Sequence, residues 1–129
     1  MKTVLRFSAL FALLVLLASC AGRGIKIDES ANGSEVTLRQ GDTLTLKIEG
    51  NPTTGYTWAI SEVDETILSI AGEAEYKSGS LLIGAGGVYT FTFKAAAPGT
   101  TPLKLIYYRS FEEGVPPVET FEVNVNVEP

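Results

Sequence analysis

The chain has 129 residues, with 10 basic and 15 acidic side chains, no histidine and one cysteine, for a formal charge of −5. That balance repels nucleic acid and anionic lipid headgroups. Without histidine or a second thiol, the usual nucleophile–base pairs, zinc sites and disulfides cannot be assembled, so no metal or cofactor is expected and binding is the class to look for.

The N-terminus reads as a targeting segment. Lys2 and Arg6 form a positive n-region, and residues 7–17 are an apolar run too short for an ordinary transmembrane helix. The run ends in Leu17-Ala18-Ser19-Cys20, which resembles the lipobox of bacterial lipoproteins. That resemblance implies a signal peptide over residues 1–19, lipidation of Cys20, a tether over residues 20–24 and one domain over residues 25–129. A plain secretory signal with an incidental Cys20 is the alternative. Ala21 in place of aspartate after the cysteine fits an outer-membrane or cell-surface anchor facing the periplasm or exterior. Loss of Lys2 and Arg6 would leave 8 basic and 15 acidic side chains, a charge of −7, so acyl chains would have to supply any membrane attachment.

From there the chain alternates apolar and polar residues with the period of half-buried strands. Short candidates are residues 25–28, 35–38, 56–60 and 67–70. In the longer ones, Leu44, Leu46 and Ile48 share one face, as do Tyr89, Phe91 and Phe93. Leu103, Leu105 and Tyr107 alternate with Lys104, Ile106 and Tyr108, so this strand reads as covered on both faces. Phe121, Val123, Val125 and Val127 form the last inward row. Turn chemistry falls between the runs, as at Asn32-Gly33, Gln40-Gly41-Asp42, Asn51-Pro52 and Pro98-Gly99. About seven short strands with Gly/Pro turns predict an all-β chain, an immunoglobulin-like antiparallel β-sandwich with Greek-key links. Trp58 is expected in its core.

Three loops stand out. Asn51-Pro52-Thr53-Thr54-Gly55-Tyr56 is conformationally constrained. Pro52 sets its own φ and extends Asn51, Gly55 is free to take positive φ, and Thr53 and Thr54 are stiff at χ1. Such a loop loses little entropy on docking, though it reads equally as a strand connection. Gly84-Ala85-Gly86-Gly87 permits close backbone approach or a tight turn, and lacks the lysine of a phosphate-binding loop. In the segment 107–117, Arg109 and Phe111 suggest a binding anchor or a loop folded back on the sandwich. Glu112-Glu113 and Asp64-Glu65 read as solvated charges, not as acid/base pairs or calcium ligands.

Taken in order, these loops resemble the chagasin family of inhibitors of papain-like cysteine peptidases. The family's signatures are an NPTTG-aromatic loop, a GxGG loop and an R-P-aromatic loop. Here they read Asn51-Pro52-Thr53-Thr54-Gly55-Tyr56, Gly84-Ala85-Gly86-Gly87 and Arg109-Ser110-Phe111, with Ser110 where the family usually has proline and Phe111 where tryptophan is common. The resemblance implies a non-enzymatic monomer whose partner is a papain-like cysteine peptidase. Its three loops, at one pole of the sandwich, would block the cleft reversibly, with Thr53 nearest the catalytic pair. A β-sandwich adhesion or assembly module of the cell envelope is the alternative. Without proline at position 110, φ is freer before Phe111, so the third loop is expected to contribute less.

The sequence also predicts an orientation. If Asn32-Gly33 closes a hairpin between residues 25–28 and 35–38, strand parity puts the N-terminus opposite the three loops. Without that hairpin, anchor and loops are expected to share a pole.

Overall fold

Leu44, Leu46 and Ile48 are buried and their neighbours Thr43, Thr45 and Lys47 are not, so the alternation in the sequence becomes one inward row of a sheet. The structure, a computed structural model, describes residues 22–82 and 84–129; the expected signal peptide and Cys20 lie outside the described residues. Nine strands form among them: β1 Gly24–Asp28, β2 Glu35–Arg39, β3 Thr43–Gly50, β4 Tyr56–Val63, β5 Leu68–Ile70, β6 Glu75–Ser78, β7 Gly87–Ala95, β8 Gly99–Arg109 and β9 Glu119–Glu128. One sheet runs β1-β3-β7-β5, with β6 also on β7, and the other runs β2-β9-β8-β4. Leu46, Phe91 and Phe93 from the first sheet meet Leu105, Phe121 and Val123 from the second in one buried core. This is the β-sandwich expected from the sequence, and burial follows the predicted alternation in β3, β7, β8 and β9.

Three local features depart from the sequence reading. In β4 the register shifts between Ile60 and Glu62, a bulge that returns Val63 to the core side and extends the strand beyond residue 60. Strand β6 is exposed along its whole length, so it carries no period-2 signal. On β8 the outward residues Lys104, Ile106 and Tyr108 are only half-buried, so the second face is not fully covered.

The hairpin expected at Asn32-Gly33 does not form. Strand β1 pairs parallel with β3, and β2 pairs parallel with β9, so the two strands belong to opposite sheets. Between them Glu29–Ala31 makes a 3-10 turn whose N-cap, Asp28, accepts from the Ser30 N–H at 2.9 Å. The corner is fastened to β9: Gly33 N donates to the Glu122 carbonyl at 2.7 Å, and Asn32 Oδ1 accepts from Glu122 N at 2.8 Å. Inward residues Ile25 and Ile27 serve one sheet and Leu38 the other, which a two-stranded hairpin does not permit. Gly24 nevertheless sits beside Thr43, at the start of β3, while Gly50 at its far end leads into Asn51. Residues 23–24 therefore lie at the pole opposite the loop, about 23 Å along the strand. The hairpin on which the predicted separation depended is absent. The shared pole expected without it does not follow either, because a crossover between sheets leaves Gly24 at the end of β3 away from the loop.

That opposite pole is tied down by Asp42, which is only 2% exposed. Its carboxylate accepts from Arg39 N at 2.9 Å and Arg23 N at 2.8 Å, and pairs with Arg23 Nη2 at 3.3 Å. The Arg39 and Arg23 amides hold its pKa below the ordinary carboxylate value against the opposing effect of desolvation. A depressed pKa stabilises the fold at pH values above the ordinary carboxylate value of about 3.9 and less as pH falls through the folded value. Asp42→Asn is therefore expected to lower unfolding free energy at pH 7 by about 1.5–3 kcal/mol. Urea melts should also show a flatter pH dependence in the variant below about pH 4. Equal stability at pH 7 would show that the carboxylate's charge is not used.

Candidate functional site

Beyond β3 the chain turns sharply, and Asn51 organises the turn. It is extended, with φ −138° and ψ 95°, as the following proline requires, and Pro52–Thr54 form a single 3-10 turn. The Asn51 Oδ1 accepts from Thr53 N at 3.1 Å and from Thr53 Oγ1 at 2.6 Å, while Thr54 Oγ1 donates to the Asn51 carbonyl at 2.7 Å. Gly55 closes the turn at φ +86°. A side chain there would be strained by the backbone and would also meet Phe111 Cε1 at 2.9 Å. Both threonines serve the turn with their hydroxyls, yet Pro52, Thr53 and Thr54 stay exposed.

The turn is seated on an aromatic stack. Tyr107, on β8, lies against Trp58 with ring centroids 5.0 Å apart and 16° between planes, and 5.3 Å from Tyr56. Trp58 Nε1 donates to the Glu49 carbonyl at 2.9 Å, so the buried indole satisfies its one donor. The Tyr107 hydroxyl accepts from Asn51 N at 2.8 Å. A phenol anchored in the core thus sets the height of the whole loop. The sequence marks Tyr107 as a strand residue and as the start of the third loop segment, with no signal of its bond to Asn51.

The other two motif loops come to the same pole and touch the first. Asn51 Nδ2 donates to the Gly84 carbonyl at 2.9 Å, joining it to the glycine loop. A Cβ on Gly87 would lie 2.2 Å from the Lys77 carbonyl, so glycine is needed where β6 meets β7. From the third loop, Arg109 Nε donates to the Thr54 carbonyl at 3.2 Å, and its guanidinium lies 4.4 Å from the Tyr56 ring centroid. Arg109 Nη1 also pairs with Glu112 Oε1 at 2.9 Å, and that contact is the main cause of the upward shift of the Arg109 pKa. Glu112 is thus ion-paired, where the sequence suggested a solvated charge. Phe111 rests one edge near Gly55 yet is 69% exposed. It both folds back and presents an open face. Ser110 is exposed beside it, and Ala85 is half-buried between exposed Gly84 and Gly86.

The loops also carry an apolar surface that the motifs did not include. Leu81 and Leu82, just before Gly84, are exposed, as are Val115 and Val118 in the segment after Phe111. Exposed large apolar side chains gathered on loops mark interaction surfaces. The signal was present in the sequence as the apolar run Leu81-Leu82-Ile83 between Gly79-Ser80 and Gly84, with no alternating strand to bury it. This pole offers rigid backbone and apolar tips suited to a concave partner.

Residues 37–125 match the family model described as chagasin family peptidase inhibitor I42. Chagasin of Trypanosoma cruzi is 28% identical over 89 residues, 65% of this chain and 80% of chagasin. Among solved structures, the cysteine protease inhibitor EhICP2 of Entamoeba histolytica superposes with a TM-score of 0.74 at 23% identity, over 82% of this chain and 96% of that one. The Leishmania mexicana ICP is 31% identical with a TM-score of 0.57, over 75% of this chain and 90% of its own.

A side chain at Gly55 would disturb two loops at once, through its own positive φ and through Phe111. Gly55→Ala is expected to lower stability by about 1–3 kcal/mol through its positive φ and to push Phe111 away. Thermal melts and amide exchange at residues 53–56 and 109–112 check this. A variant with unchanged exchange in the second segment would contradict the contact.

Proposed function

The chain belongs to the chagasin family of peptidase inhibitors, and on that premise we propose that it inhibits papain-like cysteine peptidases reversibly and without a covalent step. The observation that carries this reading is the mutual locking of three loops through Asn51 and Arg109. A surface already held in its docking shape loses little entropy on binding, which is where affinity is gained at a given area. A standard interface buries roughly 1,600 Å² in total, within reach of three adjacent loops and their apolar tips.

In this reading the loop of Asn51, Pro52, Thr53, Thr54, Gly55 and Tyr56 is the central element. Thr53 approaches the peptidase's catalytic cysteine and histidine. Gly84, Ala85, Gly86 and Gly87 line one side of the cleft, and Arg109, Ser110 and Phe111 the other, with Leu81, Leu82 and Phe111 supplying apolar contact. Resistance to cleavage follows from local geometry. The segment Pro52–Thr54 is a 3-10 turn closed by the Gly55 N–H on the Pro52 carbonyl at 3.0 Å. It presents no extended strand in substrate register.

The proposal extends to the setting. Cys20 carries the lipid, the domain over residues 25–129 acts as a monomer, and the protein faces the periplasm or exterior from an outer-membrane or cell-surface anchor. Support comes from the pole at which the N-terminal segment arrives, since Gly24 lies beside Thr43 and away from the loops. An anchor there leaves the cleft-filling pole facing outward.

Two measurements test the reading. Mixed with papain, the protein is expected to produce tight, reversible loss of peptide hydrolysis, abolished when Thr53 and Gly55 are replaced together. No effect at micromolar concentration on papain or a cathepsin-L-type enzyme would favour an adhesion or assembly module instead. Separately, metabolic labelling with palmitate in the producing cell should mark the chain and should be lost in Cys20→Ser. Labelling that survives this change would refute the anchor.

A further inference from the structure

The third loop has a support of its own. Glu112 N donates to the Arg109 carbonyl at 3.2 Å, closing a four-residue turn with Ser110 at its second position and Phe111 at its third. The second position is where a proline fixes φ in advance, and Ser110 leaves it free. The same turn, however, is bridged by the side chains of its first and last residues, Arg109 Nη1 and Glu112 Oε1, at 2.9 Å. Arg109 is itself held by the Thr54 carbonyl and the Tyr56 ring, so the bridge ties the turn to the central loop. Glu113, its exposed neighbour, has no comparable contact among the described residues.

We infer that Glu112 is a positioning residue for Phe111: its ion pair with Arg109 supplies the rigidity that a proline at position 110 would otherwise give. Both side chains are about a third exposed, 36% for Arg109 and 32% for Glu112. The bridge is therefore a modest latch, open to screening by salt. It acts on the free protein, by narrowing the positions Phe111 visits before any partner arrives. The inference rests on the proposed inhibition only for its affinity readout, because the ordering of the turn can be measured without a peptidase.

The test is a double-mutant cycle of wild type, Glu112→Ala, Ser110→Pro and the double variant. Three readouts are needed: Ki against papain, amide exchange of residues 110–114 in the free protein, and melting temperature. Glu112→Ala is expected to weaken inhibition about two- to five-fold and speed exchange in the turn, as loss of one partly exposed pair should. In the Ser110→Pro background both effects should shrink to near nothing, with melting temperatures of all four proteins close together. Equal effects of Glu112→Ala in both backgrounds, or unchanged exchange in the wild-type background, would overturn the inference. If the wild type fails to inhibit papain, the functional proposal fails, and the exchange data alone still decide whether the latch exists.

Discussion

One asparagine holds the working pole together. Asn51 spends every polar group it has: its N–H on the Tyr107 hydroxyl, its carbonyl on Thr54 Oγ1, its Oδ1 on Thr53 and its Nδ2 on the glycine loop. Each hydrogen bond contributes only about 0.5–1.5 kcal/mol net. Their combined effect is geometric, because four constraints on one residue leave it a single position. No apolar or charged side chain offers both an acceptor and a donor at that length, which is why the turn begins with this amide.

The constraint reaches down into the core through Tyr107. Its ring stacks on Trp58 and its hydroxyl meets Asn51, so an apolar body in the sandwich carries a polar tip to the surface. Core packing and loop position are therefore coupled. A change that shifts Trp58 or Tyr107 by a fraction of an ångström would move Asn51, and with it the contacts to both neighbouring loops. Arg109 adds a second, electrostatic, tie over Tyr56 and the Thr54 carbonyl. The loops thus behave as one body, which is the physical requirement for docking at low entropic cost.

The far pole answers to different chemistry. There a buried carboxylate, Asp42, gathers the amides of Arg23 and Arg39 and fastens the incoming chain to the sandwich. Strand β1 then joins β3 in parallel before the chain crosses at residues 29–34 to the other sheet. The two poles are joined by the length of β3, so Gly24, beside Thr43, lies at the end of that strand away from the Asn51 loop.

The sequence by itself determined the strands with a buried face, because period-2 alternation states directly which side chains leave water. Leu44 to Ile48, Tyr89 to Phe93 and Phe121 to Val127 were legible for that reason, and so was Gly55, where only one residue type accepts the turn. It did not determine which sheet β1 and β2 would join. Partner choice depends on contacts between residues far apart in the chain, such as Glu122 with Asn32, and local chemistry at Asn32-Gly33 pointed to a hairpin instead. Exposed β6 and the bulge at Ser61 were hidden because neither follows an alternating pattern. Only the tertiary structure decided that three separated motifs meet through Asn51 and Arg109, and that Glu112 is bound to an arginine. Those bonds form between groups that the fold brings within about 3 Å, and no spacing along the chain records them.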